Sequence, residues 1–210
     1  MRVIAILAAL LALTGCGAAP EPVRKAEAPK PAPMPDVYRV KFETSKGDVV
    51  LEVRKQWAPR AAARFYELVT TGYYDGSRFH RVIRNYVAQF GIHRDPKISQ
   101  LWRELRFPDE PVRQSNRKGW VSFAQLGPNT RNVQAFINLR DNRDLDKQGF
   151  PPFAQVVEGM DAVERLYSSY GELQPKGGGP DGVKAELQGN AYLETQYPRL
   201  DYIIKASVVP

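Results

Sequence analysis

Both ends of the folded part of this chain read as β-strands, and most of what lies between them is short β-patterned runs. Val40 to Thr44 alternates apolar and polar residues, Ser45-Lys46-Gly47-Asp48 reads as a turn, and Val49 to Val53 as a second strand. Together they open the domain as a hairpin. Asp201 to Val209 closes it as a strand. Arg78 to Ile83, Tyr86 to Ile92, Trp120 to Ala124, Gln134 to Leu139 and Phe153 to Val157 follow the same pattern. Two segments break it with a helical period. Pro59 stands at a first helical position, Ala61, Ala62, Phe65, Leu68 and Val69 share one face, and Gly72 ends the run. Met160 to Tyr167 is the second, and Ile98 to Leu105 has room for a helical turn or two. No strand–helix alternation is present, so a doubly wound parallel sheet is excluded. What remains is an antiparallel barrel or sandwich with helices packed outside. Gly177-Gly178-Gly179 lacks a phosphate-loop context and reads as a flexible surface loop.

Composition narrows the chemistry. The chain has 210 residues, a single cysteine and two histidines. One cysteine excludes an internal disulfide and a Cys-based metal site, and two histidines leave little for a His-rich one. No metal and no cofactor is expected. A net charge of +7 without a dense Lys/Arg cluster argues against nucleic acid as a partner. With no heptads, a monomer is expected.

Residues 1–16 read MRVIAILAALLALTGC: a lone Arg2, an apolar run from Val3 to Leu13, then Leu13-Thr14-Gly15-Cys16. The run suits a secretory signal and is too short to span a bilayer. Its end resembles the bacterial lipobox, in which a peptidase cuts before the cysteine and the thiol carries a diacylglycerol. Residues 1–15 are therefore expected to be a lipoprotein signal peptide. Residues 16–36 are expected to be the lipidated Cys16 and a Pro/Ala-rich linker, extended and without a core. The folded domain is expected over residues 37–210. This implies a membrane partner through a lipid anchor, in the bacterial cell envelope with the domain facing the periplasm. Gly17 permits transfer to an outer membrane.

Three motifs recur in order. Phe79-His80-Arg81-Val82-Ile83 is followed by Gln89, then by Gly127-Pro128-Asn129-Thr130, then by Gln134-Ala135-Phe136-Ile137. With the late run Phe153 to Asp161, they resemble the cyclophilin-type peptidyl-prolyl isomerases over about Val40 to Val209. The resemblance implies a mainly β fold, a closed eight-stranded antiparallel β-barrel capped by two α-helices. It also implies an enzyme that rotates X-Pro bonds in exported, proline-containing polypeptides. The uncatalysed barrier is about 18–20 kcal/mol. No covalent bond is made or broken, so the rate rises only if the twisted amide is bound better than the planar forms. A ~10⁵-fold gain requires about 7 kcal/mol of such preference.

By resemblance the cation that supplies part of it is Arg81, whose guanidinium is rigid and always charged. Tyr86, Val87, Phe136 and Leu145, with Phe123 nearby, are expected to seat the proline ring. Gln89 and Gln134 are expected to grip the peptide, and Ala124, Gln125 and Leu126 to lie where the family pairs backbone with ligand. His80 is expected to be structural, since the reaction needs no acid or base. The chain departs from the family at Arg84-Asn85-Tyr86 for Pro-Gly-Phe, at Phe90 for Gly, at Leu126 for Ala, and at Asp144 for the Trp before the pocket leucine. Leu126 is expected to narrow a neighbouring subsite. The excursions 92–118 and 171–200 are expected to be a flap over the barrel and an insert of unassigned role. These departures keep two further readings open: a proline-peptide-binding module with little turnover, and an envelope scaffold lipoprotein.

Overall fold

The structure, a computed structural model, describes residues 34–210. The signal-peptide and Cys16 assignments, and the linker up to residue 33, lie outside them. The described residues form one compact unit, Met34–Pro210. In chain order its elements are β1 (Val37–Thr44), β2 (Gly47–Arg54), α1 (Pro59–Thr70), β3 (Arg81–Ile83), β4 (Val87–Phe90), α2 (Pro96–Arg103), β5 (Trp120–Phe123), β6 (Ala135–Asn138), α3 (Asp144–Lys147), β7 (Pro152–Glu158), α4 (Met160–Glu164), α5 (Gly182–Gln196) and β8 (Ile203–Val209).

The opening hairpin pairs Val37 with Arg54 through Thr44 with Gly47 across Ser45-Lys46. Gly47 sits at φ +117°, a left-handed value that suits glycine. Alternation sends Tyr38, Val40, Phe42, Val49, Leu51 and Val53 inward. There they meet Phe65, Tyr74, Phe79, Phe90, Phe123 and Phe153 in the main core. Helix α1 lays Ala61, Ala62, Phe65, Leu68 and Val69 on that core.

The eight strands form one antiparallel sheet in the order β3-β4-β6-β5-β7-β2-β1-β8. It is an open half-barrel, not the closed barrel anticipated, and β3 and β8 are its edges. The physical reason lies at β3, which is three residues long. On the side away from β4, Val82 bridges Gly171 of the late insert rather than β8. The chain just before β3 spans the seam instead. Gly76 N–H donates to Ile203 O, Phe79 N–H to Asp201 O and Ile203 N–H to Ser77 O, at 2.8–2.9 Å.

Five helices are present among the described residues, not two. Helices α1 and α4 match the two anticipated. The excursion 92–118 contains α2 and packs on the main core. Its Trp102 packs on the core and meets Tyr73 edge-on at 5.5 Å. Its Glu110 completes α1: the N-cap Ala58 offers no side-chain acceptor, and the Glu110 carboxylate accepts from Arg60 N–H (2.9 Å) and Ala61 N–H (2.8 Å). The insert 171–200 folds into α5, with Asp181 accepting from Val183 N–H and Lys184 N–H. Helix α5 breaks at Gly189, where a Cβ would lie 2.3 Å from Arg94 O. Ala185 and Leu193 of this helix join Ile92, Tyr197 and Leu200 in a second, smaller core.

Candidate active site

The site is built on the β3–β4 hairpin and the neighbouring β6. The turn between β3 and β4 carries Asn85 at φ +56°, and Tyr86 N–H donates to Ile83 O at 3.0 Å. Asparagine tolerates the left-handed region, so Asn85 serves where the family has Gly. The register then sets Arg81 opposite Gln89, and Gln89 opposite Phe136. These three form a row across the sheet, on the face away from the main core.

The polar half of the row is one chain of hydrogen bonds. Arg81 Nη1 donates to Gln89 Oε1 at 3.1 Å, and Gln89 Nε2 to Gln134 Oε1 at 2.9 Å. Gln134 Nε2 donates on to Glu186 Oε1 of α5 at 2.9 Å. At its other end Arg81 meets Glu172, with Nε to Oε1 at 2.6 Å and Nη2 to Oε2 at 2.7 Å. The guanidinium lies 5.7 Å from the Tyr86 ring centroid. The hydrogen bonds and charge of Arg81 hold the Glu172 carboxyl below its ordinary range, against the effect of partial burial.

At its apolar end the row enters a cluster of Val87, Phe136 and Leu145, distinct from the main core and edged by Tyr86, Ala124 and Phe150. Phe136 and Phe150 meet edge-to-face at 5.7 Å. A buried polar network holds these walls from behind. Asn142 Nδ2 donates to Tyr86 O, and Asn116 Nδ2 to Phe150 O, each at 2.8 Å. Asn116 also donates to Asp146, next to Leu145, and Ser122 and Asn138 donate to Asn116 Oδ1. Burial opposes charge on Asp146, but the bonds from Ser115 and Asn116 outweigh it and keep the carboxyl below its ordinary range.

Arg81, Gln89 and Gln134 thus come together, as do Tyr86, Val87, Ala124, Phe136 and Leu145. Phe123 does not join them. It is 1% exposed, stacks on Phe153 at 4.9 Å and belongs to the main core. Strand alternation explains this: Phe123 shares the inward face of β5 with Val121, and Ser122 faces the polar network. Gln125 stands at the rim, donating to Gln148 O at 2.9 Å. Ala124 already gives its N–H to Gln134 O. Leu126 is fully exposed. Three residues at the site lie outside the expected set: Phe150, Glu172 and Glu186. Glu172 and Glu186 come from the insert, and no local pattern marks them.

His80 precedes Arg81 and faces inward, 1% exposed, with neither ring nitrogen partnered. Burial pushes its pKa down to about 4 from 6.5, so the ring is neutral near pH 7. Between those values the unfolded chain binds a proton that the folded one does not. Stability is therefore full above pH 6.5 and falls as the pH drops toward 4, by roughly 3 kcal/mol from this group. Urea unfolding at pH 7 and pH 4.5 is expected to show a smaller acid loss in His80→Phe than in the parent. Equal losses would exclude His80 as the source. His93, also lowered by burial, contributes in the same direction in both proteins.

The antiparallel half-barrel thus sets a cation, two amides and an apolar cluster side by side. The model of the family described as cyclophilin type peptidyl-prolyl cis-trans isomerase/CLD matches residues 39–178. The chain belongs to that family and is an enzyme of that class, a cyclophilin-type peptidyl-prolyl cis-trans isomerase. It is 37% identical over 140 residues to the peptidyl-prolyl cis-trans isomerase-like 1 of Rhizopus delemar, covering 63% of this chain and 82% of that one. It is 34% identical over 135 residues to the isomerase CYP18-2 of Arabidopsis thaliana, covering 61% and 80%. The isomerase sig-7 of Caenorhabditis elegans is 32% identical over 138 residues, covering 60% of this chain and 32% of that longer protein. In fold, the chain resembles the crystal structure of a Cryptosporidium parvum cyclophilin type isomerase, with TM-score 0.61 and 23% identity, covering 83% and 98%.

Proposed function

We propose that the enzyme accelerates X-Pro rotation by holding the twisted amide without covalent contact. Arg81 donates to the amide as its resonance is lost, where a fixed charge in a water-poor cleft acts most strongly. Val87, Phe136 and Leu145 seat the proline ring. Gln89 and Gln134 hold the peptide backbone. The observation that carries this reading is the row itself: the cation Arg81, the amide Gln89 and the apolar Phe136 are successive cross-strand neighbours. The test is the cis/trans exchange rate of a short Ala-Pro peptide by magnetisation transfer, with and without the enzyme. Exchange at the uncatalysed rate, in a protein that still binds the peptide, would favour the binding-module reading.

We further propose that the substrates are exported polypeptides, reached by a domain tethered through a lipid on Cys16. Leu13-Thr14-Gly15-Cys16 after an apolar run supports this. In a bacterial host, Cys16→Ser is expected to abolish labelling by a radioactive fatty acid and to release the protein from the membrane fraction. Unchanged labelling and fractionation would sink the anchor.

A further inference from the structure

We infer that the insert 171–200 is a device for positioning Arg81, and that Glu172 is its working end. The inference rests on Arg81 being the catalytic cation. The edge of β3 is extended by Gly171, which bridges Val82, so Glu172 is delivered beside Arg81 on the side away from β4. Its carboxylate takes the Nε and Nη2 edge of the guanidinium, while Nη1 donates to Gln89. Glu172 therefore fixes one edge of the cation, and the Gln89 end faces the row that runs on to Phe136. The pair is two-pronged, and the guanidinium side chain is only 19% exposed. Such a fork removes the rotamer freedom that an unpaired arginine would lose on meeting the amide.

Glu172 is itself held. Gly179 N–H donates to its carbonyl at 2.8 Å, and its Oε1 accepts from Leu173 N–H at 2.8 Å. The run Gly177-Gly178-Gly179, expected to be a flexible loop, closes over it. A Cβ on Gly177 would lie 2.5 Å from Glu172 O, and one on Gly179 would lie 2.7 Å from it. Neither glycine has a positive φ, so close approach, not backbone freedom, is what demands glycine there. Tyr197 Oη donates to Gly179 O and fastens the run to the second core.

Two effects compete. Removing Glu172 frees the cation to wander, which slows the reaction; it also removes a neutralising charge, which strengthens the field of Arg81. The Glu172 carboxylate is one-third exposed, so water screens its charge and loss of positioning is expected to win. Four variants of the full chain in detergent are compared: Arg81→Ala, Glu172→Ala, Glu172→Gln and Gly177→Ala, each checked for cooperative unfolding. Glu172→Ala is expected to lower kcat by about three- to tenfold with KM unchanged. Glu172→Gln is expected to lower it less. Gly177→Ala, which displaces Glu172 without touching its charge, is expected to lower kcat as well. The Arg81 Nε–H resonance should be protected from exchange in the parent and lose protection in Glu172→Ala. If Arg81→Ala loses activity as expected but the Glu172 variants turn over at the parent rate or faster, the positioning role is overturned while Arg81 stands. If Arg81→Ala retains full activity, both fall.

Discussion

Replacing Arg81 by alanine is expected to lower kcat/KM on an Ala-Pro peptide about ten- to hundredfold, with unfolding free energy changed by less than about 1 kcal/mol. The size follows from one charge-assisted hydrogen bond, worth about 1.5–3 kcal/mol, at about 1.4 kcal/mol per tenfold in rate. Stability moves little because Arg81 packs on the outer face of the sheet and its ion partner Glu172 is one-third exposed. Water can take over the carboxylate once the guanidinium is gone. Arg81→Lys is expected to recover only part of the rate, since an ammonium keeps the charge but cannot serve Glu172, Gln89 and an amide from one rigid plane. A loss below threefold in Arg81→Ala would mean that the barrier is lowered by something other than this cation.

Phe136→Ala is expected to damage stability and activity together. The ring is 5% exposed and is shared by Val87, Leu145 and Phe150. Truncating a buried phenylalanine costs about 3–5 kcal/mol, and the lower end applies because this cluster lies near the surface and water can enter it. Turnover should fall at least as far as in Arg81→Ala, since an unseated proline presents its amide to the cation only by chance. Phe136→Leu, which keeps most of the apolar surface, should restore most of the stability and part of the rate. Parent-like peptide turnover in Phe136→Ala, in protein still folded at the assay temperature, would remove Phe136 from the seat.

The two functional halves of the site differ in how far the sequence reveals them. The row Arg81, Gln89, Phe136 is legible because three short strands carry it and the alternation of a strand decides which residues share a face. The same alternation should have excluded Phe123. It stands two residues from Val121, and the inward face of β5 claims both. The resemblance places Phe123 near the seat, and strand alternation turns it to the core. Phe150 closes the apolar seat through contacts that depend on Asn116 and Asn142, residues whose sequence neighbours say nothing of a pocket.

The acidic supports were out of reach altogether. Glu172 lies 91 positions from Arg81 in the chain, and Glu186 lies 52 from Gln134. Helix α5 carries no clean apolar stripe, because its kink at Gly189 turns the face halfway along. A period of three and six-tenths therefore does not mark it. Barrel closure failed for a related reason. Whether β3 pairs with β8 or gives up its edge depends on where the insert returns, and nothing local encodes that.

The sequence by itself determined the strands, the first helix and the family, because each rests on short-range spacing: period two, period three and six-tenths, and motifs a few residues long. Only the tertiary structure decided that the sheet stays open, that Phe123 belongs to the core, and that a glycine-wrapped carboxylate stands behind Arg81. Those outcomes follow from which distant segments compete for one strand edge and one buried face, and that competition is settled by packing.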